Sequence, residues 1–255
     1  MKSVIYETKG RAREFNELAI NLFTGCEHQC IYCYGADVTH QDKESFQHKV
    51  APRITVEDIQ TSARAWRDKG ERRRILLCFV TDPYTPCEQE SQFTRQTIKT
   101  LHTYGFNVSI LTKGGLRSTR DFDLMTSKDA YATTLTCFAD EDSLYWEPKA
   151  SLPCERIKAL EEADLRGIET WVSLEPVIYP QDAMRFVKML NGSVGHWKVG
   201  TMNYHPHGKT INWREFGWKI KGLMDSIGAK YYFKKDLLKE MAFIPADFKQ
   251  TWVCR

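Results

Sequence analysis

The chain of 255 residues carries a formal charge of +3 at pH 7, with 42% hydrophobic and 12% aromatic residues. That balance fits one large α/β domain over residues 1–255, with a core at about 17–235 and a C-terminal extension at 236–255. No apolar run reaches membrane-spanning length, the opening residues lack a secretory-type apolar stretch, and the basic excess is too weak for a duplex-binding surface; a cytoplasmic protein without membrane contact is expected.

The pattern along the chain is strand then helix, repeated. Residues 18–23 read as a short strand that runs into a cysteine-rich loop, Gly25 to Tyr34. Residues 55–69 read as a helix with Thr55 as N-cap and Gly70 as its stop. The continuous apolar run 75–80 reads as a strand buried on both faces. A helix at 94–104 ends at Gly105, a strand follows at 107–111, a short helix at 120–126 and a strand at 130–137. Next come a helix at 152–166, a strand at 169–174, a helix at 181–190, a strand at 196–199 and a helix at 213–226. A last strand at 229–233 either closes or extends the sheet. Connections this short require a parallel sheet with right-handed crossovers. Six or so such units, too few for eight-fold closure, predict a partial (β/α)6 barrel with its chemistry at the carboxyl ends of the strands.

Of eight cysteines, Cys26, Cys30 and Cys33 fall within one loop as C-x3-C-x2-C. A compact loop with this spacing can present three thiolates to three corners of a cubane cluster, leaving one iron open. A zinc site that also uses His28 is the alternative, but it lacks the second paired ligand cluster usual for structural zinc. His28 reads as a solvated loop residue. Cys78 lies in an apolar run and reads as core, whereas Cys87, on a loop, is the stronger reactive candidate.

The cysteine spacing, with aromatic Tyr32 before the third cysteine, resembles the radical S-adenosylmethionine (SAM) superfamily. The longer stretch Asn21-Leu-Phe-Thr-Gly-Cys-Glu-His-Gln-Cys-Ile-Tyr-Cys-Tyr34 is similar to the opening of its spore photoproduct lyase-like group, departing at Leu22 where many members carry proline. Thr81-Asp-Pro-Tyr-Thr-Pro-Cys-Glu88, Leu111-Thr-Lys113, Arg120-Asp121 with Asp123-Leu124, and Trp146-Glu-Pro148 extend the likeness. The resemblance implies a [4Fe-4S] cluster on Cys26, Cys30 and Cys33, with SAM as cofactor and an external electron donor such as flavodoxin or ferredoxin. It implies Lys113 as partner of the methionyl carboxylate, and Tyr32, Asp82, Glu147 and Glu175 as further cofactor-site residues. Asp82, a partner for ribose hydroxyls or substrate donors, reads equally as a turn cap before Pro83, and Glu147 and Glu175, carboxylates for SAM or substrate, equally as structural turn carboxylates. Glu88 reads as a further carboxylate for ribose or substrate. Arg156 is either a surface residue or a partner for Glu147. Spore photoproduct lyase returns hydrogen from a cysteine thiol; Cys87 is the candidate for that role, although neither it nor Cys78 matches the family position.

Tyr204, His205, His207 and Lys209 follow the sixth strand and form the expected substrate loop. The reaction implied is a radical lyase step on a nucleoside, nucleotide or nucleic-acid-derived substrate. One similar branch releases queuine from queuosine-type nucleosides, a specific expectation; repair of a DNA photoproduct and a non-catalytic zinc-dependent nucleic-acid module are the alternatives.

Overall fold

The computed structural model describes residues 3–241. Eight strands form one sheet in chain order: β1 (Tyr6–Glu7), β2 (Leu18–Ile20), β3 (Ile75–Leu77), β4 (Val108–Thr112), β5 (Ala130–Thr134), β6 (Glu169–Leu174), β7 (His196–Val199) and β8 (Tyr231–Phe233). β1 is antiparallel to β2, and every later pair is parallel. The parallel strands therefore number seven, one more than the six-unit barrel expected. The 229–233 segment extends the sheet, and β1 and β8 are its two edges.

The period-2 alternation of the strands sorts their side chains. Ile20, Leu77, Ile110, Val172, Leu174 and Val199 face the helices and join the main apolar core. The opposite face carries small and polar groups: Ala130 and Ala132 pack with Trp171, Leu111 and Phe15 in a separate cluster inside the curve of the sheet. Each fully buried aliphatic side chain on the helix side contributes about 1.5–3 kcal/mol.

Curvature is visible in contacts that cross the open edge. Lys198 of β7 is fully buried and donates to the backbone oxygens of Glu14 (3.0 Å) and Phe15 (2.7 Å). The Glu14 carboxylate in turn accepts the Lys235 backbone N–H at 2.8 Å and the Tyr232 hydroxyl at 3.1 Å. The short helix Gly10–Glu14, between β1 and β2, thus fills the seam that strand pairing leaves open. Residues 10–16, outside the expected core, form a wall of the barrel mouth. At the other end Leu237 and Met241 join the main core, so the expected 236–255 extension begins as packed structure; residues 242–255 lie outside the described residues.

Local chemistry explains most of the element boundaries. Thr55 is the N-cap of helix Val56–Asp68, as expected, and forms a reciprocal capping box with Asp58. The 75–80 run does not remain a strand to its end. Cys78 takes a left-handed conformation (φ 63°), and the N–H groups of Phe79 and Val80 turn to Asn21 Oδ1 at 2.9 and 3.2 Å. The chain peels off the sheet there and carries Cys78–Asp82 over the barrel mouth. The helix expected at 120–126 is replaced by a 3-10 helix at Gly115–Asp121. Its last residue, Asp121, is fully buried and accepts from Tyr84 Oη (3.1 Å), Arg95 (3.1 Å) and Arg120 (2.7 Å), which halts the turn.

Candidate active site at the carboxyl ends of the strands

The cysteine loop is held by Phe46, delivered by helix Lys43–His48. The Cys26 N–H donates to the Phe46 carbonyl at 2.9 Å. A Cβ on Gly25 would stand 2.0 Å from that oxygen, and one on Gly35 would stand 2.3 Å from the Phe46 ring. Both glycines bracketing the cysteines are therefore required by close approach. Gln29, with φ 56°, turns the loop between Cys26 and Cys30.

His28 is buried, which corrects its reading as a solvated residue. Its Nε2 lies 2.9 Å from an Arg117 nitrogen and its Nδ1 3.4 Å from Asp82 Oδ2. A guanidinium only donates, so Nε2 accepts and Nδ1 carries the proton. Burial pushes the imidazole down to about 4, which keeps it in this neutral form.

Asp82 is occupied by the protein itself. Its Oδ1 accepts from the Tyr84 N–H (2.8 Å) and Thr112 Oγ1 (2.5 Å), and its Oδ2 from the Lys113 N–H (2.8 Å). The carboxylate clamps the loop after β3 to the end of β4 and so positions Lys113. Glu88, the other carboxylate of that motif, is paired with Arg120 at 2.8 Å and also accepts the Thr94 N–H; it does not line the cavity described below.

Glu147 is likewise engaged by side chains of the same chain. It is fully enclosed and accepts from the Tyr32 hydroxyl and from Arg156, the latter at 2.5 Å, with Lys113 Nζ 3.9 Å away. Burial alone would raise this carboxyl, but Arg156, Lys113 and the Tyr32 hydroxyl outweigh it and hold it low. Arg156 is also fully buried and donates to the carbonyls of Ser151 (2.7 Å) and Thr134 (3.0 Å). The pair ties the aromatic of the cysteine loop to β5. Lys113 loses stability as a cation by burial, but the Cys30 and Glu147 charges more than compensate and raise its pKa.

These elements surround a cavity of about 550 Å³, within the range of small-molecule and cofactor sites. Cys26, Cys30 and Cys33 lie along it together with Tyr32, Lys113, Asp82, Glu175 and Tyr204. Glu147, Cys87, His205, His207 and Lys209 do not line it. Cys87 is half-buried on the core periphery, its N–H bound to Glu27 at 2.5 Å, whereas Cys78 lines the cavity. The substrate loop expected at 204–209 therefore divides. Tyr204 covers the mouth, its ring 5.1 Å from Tyr34 and stacked on the Arg11 guanidinium at 5.2 Å. His205 and His207 pack on Trp146 at 5.1 and 5.3 Å, and His207 Nε2 lies 3.0 Å from the Ile178 carbonyl. His205 and Lys209 line a neighbouring depression.

Phe15, Arg11, Ser173 and Lys234 also line the cavity and were not singled out by motif. Ser173 and Glu175 sit two apart on β6 and its extension, and Tyr232 and Lys234 two apart on β8 and its extension; inward period-2 placement was the available signal.

Among the described residues, no three His, Cys, Asp or Glu side chains are grouped to hold a metal ion. His28, the fourth ligand of the zinc reading, has its Nε2 engaged by Arg117 and its Nδ1 facing Asp82. Three soft thiols along one cavity are the donor set of an iron–sulfur cluster in which each sulfur serves a separate iron. Burial pushes Cys30 up to about 12 and raises Cys26 and Cys33, while Lys113 pulls Cys30 and Cys33 the other way. Burial thus favours the neutral thiols, and a bound cation would favour the thiolates.

No family model matches the chain. A mutant of spore photoproduct lyase with bound AdoMet and dinucleoside spore photoproduct superposes with a TM-score of 0.67 at 15% identity, over 89% of this chain and 79% of that one. The chain has the spore photoproduct lyase fold. Streptococcus suis SuiB bound to S-adenosylmethionine also matches, with a TM-score of 0.62 at 10% identity over 85% of this chain and 49% of SuiB. In sequence, an uncharacterized protein of Methanocaldococcus jannaschii is 26% identical across 62% of this chain and 60% of its own. One from Mycobacterium tuberculosis is 25% identical across 76% and 60%, so the matched region spans about 60% of these relatives. On the spore photoproduct lyase fold, the cysteine loop follows β2, the first parallel strand, and Lys113 stands at the end of β4.

Proposed function

We propose that the chain is a radical SAM lyase acting on a nucleoside, nucleotide or nucleic-acid-derived substrate. The observation that carries this is the meeting of Cys26, Cys30, Cys33 and Lys113 on one cavity at the carboxyl ends of the strands, in a fold shared with a lyase bound to AdoMet. Cys26, Cys30 and Cys33 would hold a [4Fe-4S] cluster, which would supply the one electron that breaks the S–C5′ bond of SAM to give methionine and a 5′-deoxyadenosyl radical able to take hydrogen from the substrate. Lys113, kept cationic beside Cys30 and Glu147, pairs with the SAM carboxylate as a charge-assisted donor. Glu147 and Arg156 hold Tyr32 and Lys113 in place, and Asp82 fixes the backbone that carries Lys113.

Cys78 takes the hydrogen-donor role considered for Cys87. It lines the cavity, and burial pushes its thiol up to about 12, so it keeps its hydrogen at neutral pH. A flavodoxin or ferredoxin in a reducing cytoplasm suits the unpaired state of all cysteines among the described residues. Release of queuine from a queuosine-type nucleoside is the specific form of this lyase reading. No helix among the described residues is long and apolar enough to cross a membrane.

Anaerobic reconstitution with iron and sulfide, followed by dithionite and SAM, is expected to yield 5′-deoxyadenosine. Cys30→Ala should abolish both the brown colour and the product. A reconstituted protein that binds iron yet makes no deoxyadenosine, indistinguishably from Cys30→Ala, would sink the proposal.

A further inference from the structure

Away from the cysteines, the cavity wall carries an ion pair with no part in the proposed handling of SAM. Lys234, which follows β8, is only 3% exposed in its side chain, and Glu175, which follows β6, 20%. Both line the cavity, and they are bonded to each other. Burying an ammonium and a carboxylate costs several kcal/mol per ion before their attraction is counted, so stability alone is a weak reason to keep the pair.

The pair is also not saturated. Lys234 gives one of its three N–H groups to Glu175 Oε2, and no N–H or O–H group among the described residues donates to Oε1. The carboxylate fits only because position 200 is glycine: a Cβ there would lie 2.6 Å from Oε1. A buried hydroxyl on the same wall does lack a partner. Ser173, two residues earlier on β6, is buried and lines the same cavity, and its Oγ has no hydrogen-bond partner. A buried hydroxyl left without a partner is destabilising, and a ligand that supplies the missing group removes that cost. Around these polar atoms the wall is aromatic. Phe15 lies under the Lys234 ammonium, 3.2 Å from its ring centroid, and contacts Phe79 edge-on at 5.4 Å, with Tyr34 nearby on the same cavity.

A carboxylate only accepts, and an ammonium only donates. Set side by side among aromatic rings, they complement a flat ring whose edge offers an N–H next to a C=O. We infer that Glu175 and Lys234 form a substrate subsite that reads the cyclic-amide edge of a nucleobase: Glu175 accepts the ring N–H, and Lys234 donates to the adjacent carbonyl. Uracil, thymine and guanine-type bases carry that edge. Cytosine and adenine carry the reverse, a ring nitrogen acceptor beside an amino donor, and meet an acceptor with a lone pair and a donor with an N–H. Ser173 supplies a further hydroxyl to whichever polar group the ring places opposite it. This deepens the proposed function, on which it rests for treating the cysteine side as the cofactor side, and it reassigns Glu175 from cofactor to substrate.

The test uses uridine and cytidine, which differ only at this edge, titrated calorimetrically into the anaerobically reconstituted full-length chain. A site built around one hydrogen-bonding pattern rejects the mismatched partner strongly, so uridine is expected to bind at least about tenfold more tightly than cytidine. Glu175→Gln, whose amide both accepts and donates, should erase or invert that ratio, a change that a merely structural residue would not produce. Lys234→Met should weaken uridine and leave cytidine little changed. Equal binding, tighter cytidine, no binding of either nucleoside, or an unchanged ratio in both variants would overturn the inference; the wild-type comparison holds even if a variant fails to fold. Deoxyadenosine formation from SAM is measured on the same preparation. Its presence without a uridine preference removes this inference alone, and a uridine preference without it removes the SAM chemistry alone.

Discussion

Replacing Arg156 by methionine isolates the contribution of the buried pair behind the cysteine loop. The guanidinium is fully buried and makes three bonds, to Glu147 at 2.5 Å, Ser151 O at 2.7 Å and Thr134 O at 3.0 Å. Methionine fills much of the aliphatic volume but leaves the Glu147 carboxylate enclosed, with the Tyr32 hydroxyl and a lysine 3.9 Å away as its remaining partners. Breaking a buried pair by removing one partner costs about 3–5 kcal/mol. In a chain of this size about 1 kcal/mol moves the melting temperature by roughly 2–4 °C, so a fall of about 6–20 °C is expected. The assay is thermal and urea unfolding of the metal-free protein followed by circular dichroism. The double variant Glu147→Leu with Arg156→Met should be more stable than Arg156→Met alone, because it removes the fully enclosed carboxylate and leaves only Lys113, whose side chain keeps 17% exposure. The pH dependence has a fixed sign. Glu147 is held below its unfolded value of 4.5, so its stabilising contribution is complete above that pH and is lost as pH falls through the folded value. Arg156→Met should shrink this acid limb. A loss under about 1 kcal/mol, or a double variant no better than the single one, would refute the assignment of the pair as the brace of the loop.

Two further outcomes follow from local geometry. Gly25→Ala forces a Cβ to within 2.0 Å of the Phe46 carbonyl; iron and sulfide per chain after reconstitution should drop sharply, with about 1–3 kcal/mol of stability lost, whereas Gly192→Ala, with nothing within 4 Å of the new carbon, should bind iron normally. Once a substrate is in hand, Cys78→Ser should cut product formation while deoxyadenosine formation persists, and Cys87→Ser should leave both unchanged, because only the former thiol lines the cavity; equal losses in the two variants would remove Cys78 as the donor.

The strand–helix order was legible because period and punctuation agree: Thr55, Gly70, Gly105 and Gly167 stand where the helices start and stop. What escaped the sequence depended on contacts distant along the chain. The 75–80 run is apolar to its end, yet it leaves the sheet at Cys78 because Asn21, 58 residues earlier, takes the N–H of Phe79. The Val80 N–H goes to the same oxygen, and no local pattern encodes this turn, after which Cys78 lines the cavity. His28 reads as a polar loop residue until Arg117 and Asp82 fold onto it. The charged motifs carried a different ambiguity. Asp82, Glu88 and Glu147 have the composition of ligand-binding residues, but their partners are backbone N–H groups and arginines of the same chain. A carboxylate in a motif shows that charge is needed there, without saying whether a ligand or the protein uses it.

The two halves of the cavity are built by different means, which bears on how specificity is divided between them. The cysteine side is made from β2 to β5, regular parallel units clamped by Asp82 and by the Glu147–Arg156 pair. The opposite side is made at the seam, where β1 and β8 do not pair and the Gly10–Glu14 helix is joined to the last strands through Lys198, Tyr232 and the Arg11–Asp236 bridge at 2.8 Å. A seam held by side chains tolerates changes of length and sequence that a hydrogen-bonded ladder does not, since altering it breaks individual contacts instead of a strand register. Phe15, Lys234, Tyr204 and Arg11 all belong to this side. On the proposed function, the substrate side falls at this seam and the cofactor side on the hydrogen-bonded ladder, so substitutions at the seam are expected to alter which nucleoside binds before they alter whether SAM is cleaved.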